Sequence, residues 1–281
     1  MDKISLFDGY NAFWRATHTM SFGKKEGEVI DPEAPDYLII FNFFRNLRPL
    51  IEQFAPEKCF FVLEGHSLFR YGLYPEYKAN RIIKYGSKKD LMVRFNTQKT
   101  EIIRLLKYFP ITTIWAKDFE CDDVIASLCL DMKDEDITVI SNDSDFIQLL
   151  QRPELKDTKV YNPIKKAFMV APDYHYVAWK SLAGDKSDNI KGLVGDKKAQ
   201  TLVNDPKKLT TFLALEENRA NFNINKLLID FQLVPSEDLL IEEGVADWDA
   251  LKAEFDRMAF ASITNDKSWA KYVSTFDCIK F

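Results

Sequence analysis

The sequence predicts an α/β fold built on a mostly parallel sheet, and three observations carry that prediction. Short apolar runs of β-branched and aromatic residues recur at Ile4–Asp8, Cys59–Glu64, Ile111–Ala116 and Ile137–Ser141, as strands buried on both faces require. Longer stretches with helical periodicity lie between them, roughly Asp36–Gln53, Asp90–Tyr108 and Asp122–Met132; strands alternating with helices make βαβ units with right-handed crossovers. Carboxylates stand where the strands end, and that end of an open α/β sheet is where ligands bind.

In chain order, the first strand ends on Asp8, followed by Gly9, and the second closes on Glu64. The third leads into a turn carrying Glu120, Asp122 and Asp123. A helix beginning there tolerates negative charge, because its first N–H groups are free and its dipole is positive. One of the two aspartates could simply be an N-cap; Glu120 beside them and Asp143 on the next strand favour a metal. The fourth strand ends at Ser141-Asn142-Asp143, with Asp145 two residues on. A hairpin (Lys159–Asn162, Ala167–Val170) and a helix near Pro172–Ala183 follow. Then comes Gly-Asp185-Lys-Ser-Asp188-Asn-Ile, and polar, helix-rich sequence to residue 281. We expect a core over residues 1–170 and a helical lobe over 171–281.

The bulk properties set limits. With 281 residues, 46% hydrophobic and 29% charged, the chain can bury a sizeable core. Four cysteines without C-x-x-C spacing and only three histidines argue against a zinc site or a disulfide framework. His18, His66 and His175 read as structural or surface residues. No signal peptide and no run of membrane-spanning length is visible, so a reduced, cytoplasmic location is expected.

The net charge of −5 conceals an asymmetry. From His66 to Lys107 ten basic residues face three acidic ones, a net of +7, leaving −12 for the remainder. Such a division fits a polyanion contact beside an acidic cleft, although a solvated helix face gives the same composition. Nine carboxylates in one cleft repel one another strongly unless a cation is present. Oxygen-only donors select a hard ion such as Mg²⁺ or Mn²⁺, and such ions on a carboxylate platform usually serve phosphate chemistry. The segment Gly-Asp-Lys-Ser-Asp-Asn-Ile-Lys-Gly-Leu-Val-Gly-Asp-Lys-Lys-Ala adds a turn punctuated by Gly192 and Gly195, with Lys197 and Lys198 opening the next helix. Exposed N–H groups there would hold a DNA phosphate without reading a base.

These motifs resemble the structure-specific 5′-nuclease family, which includes the flap endonucleases, the 5′–3′ exonucleases and the 5′-nuclease domain of DNA polymerase I. The resemblance rests on Phe7-Asp8-Gly9, Tyr74-Pro75-Glu76-Tyr77-Lys78-Ala79-Asn80-Arg81, Glu120 with Asp122-Asp123-Val124-Ile125-Ala126, Asp143 with Asp145, and Gly184-Asp185 with Ser187-Asp188-Asn189-Ile190. They occur in the family's order and span most of the chain, which looks most like the stand-alone bacteriophage members.

The resemblance implies a PIN-like (Rossmann-like) core with a helical arch near residues 66–100. It also implies a C-terminal helical lobe with a helix-hairpin-helix-type DNA-binding element near 184–205. Two Mg²⁺ ions, with Mn²⁺ as substitute, would lie about 3.5–4 Å apart. Asp8, Glu120, Asp122 and Asp143 would hold the first, Asp145, Asp185 and Asp188 would stand nearer the second, and Asp123 would be an outer ligand. Lys78 and Arg81, on one helix face, would stabilise the charge that develops on the scissile phosphate.

The arch would thread a single-stranded 5′ end, its cations Arg70, Lys84, Lys88 and Lys89 interleaved with Phe69, Tyr71, Tyr74, Tyr77 and Tyr85. For Phe69 and Phe95, packing against the core is the expectation. Gly192, Gly195, Lys197 and Lys198 would hold the duplex. Substrates would be DNA with a 5′ end or flap and RNA–DNA hybrids, cleaved by a monomer acting in DNA replication or repair. Glu64 departs from the Asp usual in the family, and its longer side chain leaves direct ligation open. The glycine turn is also shorter than in relatives.

Two other readings compete. A PIN-type ribonuclease would share the core but lacks the 184–190 element and the arch. A non-catalytic DNA-structure-binding protein would have lost ligand carboxylates, and here only Glu64 is altered. An aspartyl phosphatase built on Asp143-Ser144-Asp145 fails, because its nucleophile would end the first strand.

Overall fold

The computed structural model describes residues 1–18, 36–81 and 89–280. β1 (Lys3–Asp8) lies at the centre of the sheet, parallel to β2 (Lys58–Val62) on one side and β4 (Asp136–Ile140) on the other. β3 (Thr112–Ala116) runs parallel outside β2, and β5 (Thr158–Asn162) parallel outside β4. Two antiparallel strands form the edges: β6 (Ala167–Phe168) on β5, and β9 (Leu239–Glu243) on β3. The order is β6-β5-β4-β1-β2-β3-β9. The chain therefore proceeds one way from β1 to β3, then returns to lay β4 against the other side of β1. That reversal makes the gap between β1 and β4 the topological switch point.

Helices cover both faces. α1 (Gly9–His18), α2 (Leu38–Phe54) and α4 (Lys89–Leu106) pack on one, while α3 (Leu68–Leu73) lies over the strand ends. α5 (Cys121–Asp131) and the short α6 (Ile147–Leu150) pack on the other. Strand alternation feeds both layers, with Ile4 and Leu6 joining the α5 side and Phe7 the α2 side. The expected strands and helices of the core are all present, displaced by one or two residues at their ends.

Beyond residue 171 the chain divides. α7 (Tyr176–Ala183), the β7 (Gly184–Asp185) and β8 (Ile190–Lys191) ribbon, α8 (Asp196–Val203), α9 (Pro206–Leu213) and α10 (Glu216–Ile229) make the helical part. Residues 239–280 instead return to the sheet. β9 completes it, and α11 (Trp248–Arg257), α12 (Ala261–Thr264) and α13 (Asp266–Ser274) pack into the α2 layer. Phe255 lies 5.1 Å from Phe44 and Phe276 5.0 Å from Phe109, centroid to centroid. The reason is the aromatic spacing Trp248, Phe255, Trp269, Tyr272, Phe276, which needs a large apolar partner. Among the described residues no helix is long and apolar enough to cross a membrane.

Candidate active site

The first carboxylate group gathers at the switch point. Asp8 ends β1 at 4% exposure, and its Oδ2 accepts a 2.6 Å hydrogen bond from the Ser141 hydroxyl at the end of β4. Its Oδ1 accepts from the Asn11 N–H at 3.0 Å. Gly9 allows β1 to pass this close to β2, since a Cβ there would lie 2.3 Å from the Val62 carbonyl oxygen. Glu64, just past β2, accepts from the Cys121 N–H at 3.0 Å. Asp122 belongs to the same group, and ligand atoms of Asp8, Cys121 and Asp122 lie within 4.8 Å of one another.

Electrostatics register this crowding. Burial, and then the Asp143 charge against hydrogen bonds from Ser141 and Asn11, leaves Asp8 raised to about 6. Burial foremost raises Glu64 to about 7. Asp122 stands well above the usual range because of burial and then Asp143, Asp8 and Glu64. Burial disfavours the charged form of each carboxyl, and the neighbouring like charges add to that effect.

The second group lies on the α7 side. Asp145 accepts from the Tyr176 hydroxyl at 3.0 Å and from Lys180. Lys180 also sits 2.6 Å from Asp185 Oδ2. Burial pushes Asp185 up, but Lys180 and Ser187 outweigh it and hold the carboxyl below its usual value. Asp188 accepts from Arg81 at 2.6 Å and from the Tyr77 hydroxyl at 3.0 Å. The two groups meet: one small cavity is lined by Glu120, Asp122, Asp145, Asp185 and Asp188 together. Asp143 is exposed and caps the turn to Asp145, with its Oδ1 2.9 Å from the Asp145 N–H. It acts electrostatically on both groups, raising Asp8, Asp122 and Asp145.

Lys78 and Arg81 reach this cleft, by a different route from that expected. Lys78 is not on a helix: it adopts a left-handed conformation (φ 57°), its N–H bonded to the Asp188 carbonyl at 2.9 Å. Its ammonium lies 2.8 Å from Glu120 Oε1 and 3.8 Å from Asp188. Asn189 clasps the same turn, its amide donating to the Glu76 carbonyl at 2.8 Å.

Three expected site residues are corrected. Asp123 faces away from the cleft at 0% exposure, gripped by Arg70 at 2.6 and 2.8 Å and by the backbone N–H groups of Gln232 and Glu120. With both oxygens taken, it is a structural anion rather than a ligand. Arg70 is 2% exposed and spends its remaining donors on Leu228, Asp230 and Ser67, so it cannot meet nucleic acid. Tyr77 is likewise buried at 2%, its hydroxyl shared between Glu120 and Asp188, and offers no stacking face to a base. Phe69 reverses in the opposite sense: it is exposed, whereas Phe95 packs in the core against Trp14.

Lys84, Lys88 and Tyr85 lie outside the described residues, as does the Lys89 side chain. Lys197 and Lys198 are exposed at the start of α8. Gly192 is required there, since a Cβ would come 2.1 Å from the Ala183 carbonyl oxygen, whereas Gly195 has open space around it.

Several functional contacts escaped the sequence reading. Lys180 gave one readable sign, as a lone cation in the apolar helix Tyr-Val-Ala-Trp-Lys-Ser-Leu-Ala. Ser141 and Asn11 gave none, because their roles depend on β1 and β4 being neighbours, and Cys121 gave none, because its partners stand at the ends of β1 and β2. The donor set fits hard divalent ions: seven of its eight carboxylates come from short motifs in four distant segments, Glu64 supplies the eighth, and no histidine stands among them.

An open, mostly parallel sheet with an acidic cleft at its switch point defines a PIN-like α/β core. Residues 3–178 match the 5′-3′ exonuclease N-terminal, resolvase-like domain. A 5′-3′ exonuclease of Buchnera aphidicola is 31% identical over 217 residues, covering 72% of this chain and 68% of its own. Another from Mycoplasmopsis pulmonis is 32% identical over 181 residues, covering 60% and 58%. The fold is shared with a bacteriophage T5 flap endonuclease crystallised with DNA and metal ions, at a TM-score of 0.64 and 18% identity over 98% of both chains. The chain belongs to the 5′-3′ exonuclease family. The match spans less than two thirds of the Mycoplasmopsis protein's length.

Proposed function

We propose that this chain is a divalent-metal-dependent, structure-specific 5′-nuclease that hydrolyses phosphodiester bonds at or near 5′ ends and flaps of DNA. The observation that carries this reading is the convergence of Asp8, Glu64, Glu120, Asp122, Asp143, Asp145, Asp185 and Asp188 on one cleft at the sheet's switch point. Asp8, Asp122 and Asp143, with Glu64 and Glu120 beside them, would hold one Mg²⁺; Asp145, Asp185 and Asp188 would stand nearer a second, and Mn²⁺ would substitute. Bound ions supply Lewis-acid activation of the phosphodiester and of the attacking water.

The protein's own part is positioning. Lys78 and Arg81, held at the cleft by Glu120 and Asp188, are placed to meet phosphate oxygens where charge develops. Lys197, Lys198 and the open amide end of α8 would hold duplex phosphates without reading bases. Backbone-only recognition extends the substrate class to RNA–DNA hybrids.

The test is Mg²⁺-dependent digestion of 5′-labelled flap, nicked, blunt and hybrid substrates with product lengths resolved. Asp143→Ala should abolish cleavage while flap binding persists. Undiminished turnover by that variant would end the proposal.

A further inference from the structure

Where α2 meets α12 and α13, the C-terminal helices leave a cavity of about 510 Å³, within the size range of small-molecule sites. It shares no residue with the carboxylate cleft. Arg45 and Arg48 of α2 and Lys271 of α13 line it, and no carboxylate does, although the chain carries 43 acidic residues against 38 basic ones. Elsewhere on this layer cations are neutralised, as where Arg104 and Arg257 share Glu101 and Glu254. Among the described residues Lys271 has no acidic partner, and Arg45 lies over the Phe41 ring, 6.0 Å from its centroid. Arg48 has one acidic partner, the exposed Glu52 at 3.3 Å, and an exposed helix pair of that kind contributes little. Ser262 of α12 and Ser268 of α13 add hydroxyls, while Phe41 and the buried Tyr272 add an apolar wall.

We propose that this cavity is a second ligand site, which binds a nucleoside 5′-monophosphate. Positive charge left uncompensated on a chain of net charge −5 calls for an anion. A phosphate monoester carries about −1.5 to −2 charges near neutral pH and has three acceptor oxygens. Two guanidinium forks and an ammonium supply donors for all of them. A flat base stacks on a guanidinium plane or an aromatic face, and Arg45 lying over Phe41 supplies such a surface. Mononucleotides are what exonuclease action in the cleft releases, and the choice of a nucleotide over other phosphate monoesters rests on that reading. Binding there joins α2 to the C-terminal helices.

Isothermal titration of the full chain with deoxyadenosine 5′-monophosphate tests the assignment. It is done in chelator, because an ion-free acidic cleft repels phosphate, and Asp8→Ala should bind as wild type does. Arg45→Glu and Lys271→Glu, both at exposed positions, should each weaken binding at least about tenfold, since hydrogen bonds to charged groups are the stronger ones. Lys267→Glu, exposed on the same helix but outside the cavity, should stay within about twofold. Deoxyadenosine and inorganic phosphate, each lacking one half of the ligand, should bind at least about tenfold more weakly. No binding by wild type, an equal loss in Lys267→Glu, or inorganic phosphate binding as tightly would overturn the proposal. So would a single-stranded oligonucleotide that binds more tightly and is lost in the same variants, since the cavity would then be a strand contact. A chain that cleaves flaps without binding the nucleotide loses this site alone. One that binds the nucleotide yet cleaves nothing keeps this site and loses the nuclease reading.

Discussion

Removing the Arg70 guanidinium would leave Asp123 an unpaired charge at 0% exposure. Breaking a buried pair in this way costs about 3–5 kcal/mol, so Arg70→Ala should lower the urea midpoint sharply; a shift no larger than that of a surface arginine would refute the structural role. Lys78→Ala also removes the cation beside buried Glu120 and so costs some stability, but its distinguishing effect should be kinetic: turnover at saturating DNA falls by roughly 10²–10³ and binding much less. Equal losses in turnover and affinity would reduce Lys78 to a binding contact. Residue types and spacing were enough to nominate the cleft's carboxylates, since strand ends converge by geometry. They could not separate Asp122 from Asp123, because the partner that claims Asp123 stands 53 positions away. Lys180 was missed for the same reason: its meaning lies in Asp145 and Asp185, which only the folded chain sets on either side of it.

The β7–β8 ribbon and its following turn show what an element contributes. Gly184 adopts φ 80° and its backbone abuts Gly192, while Asn225 ties the unit to α10 by donating to the Ser181 and Lys191 carbonyls, both at 2.9 Å. Gly192→Ala should therefore cost about 1–3 kcal/mol through overpacking, and Gly195→Ala no more than about 0.5 kcal/mol. Thermal unfolding distinguishes the two, and equal tolerance would show that the close approach is not needed. At this scale the βαβ core was readable from period and length. β9 was not, since Leu239–Glu243 lacks strand alternation and three of its five residues are apolar in a row. It becomes a strand because the β3 edge offers partners, with Trp115 opposite Leu240 and Ile114 opposite Ile241. Tertiary context outweighs local pattern there.

For the molecule as a whole, the cleft trades stability against charge. Burial foremost raises Asp8 and Asp145 to about 6 and Glu64 to about 7. Between the ordinary carboxylate range and those values, the folded chain keeps protons that the unfolded chain has released. Stability in chelator should therefore fall as pH rises from about 4 to about 7, and Mg²⁺ or Mn²⁺ should restore most at the upper end. A melting temperature in chelator that climbs across that window would contradict this. The pairing of β3 with β9 joins positions more than a hundred residues apart, a separation that slows folding. On the ribosome, every acidic ligand emerges before the aromatic residues that complete the scaffold beneath them. A nascent or prematurely terminated polypeptide would carry the full set of ligands on an unfinished support. The sheet beneath those ligands therefore closes only once synthesis has passed β9.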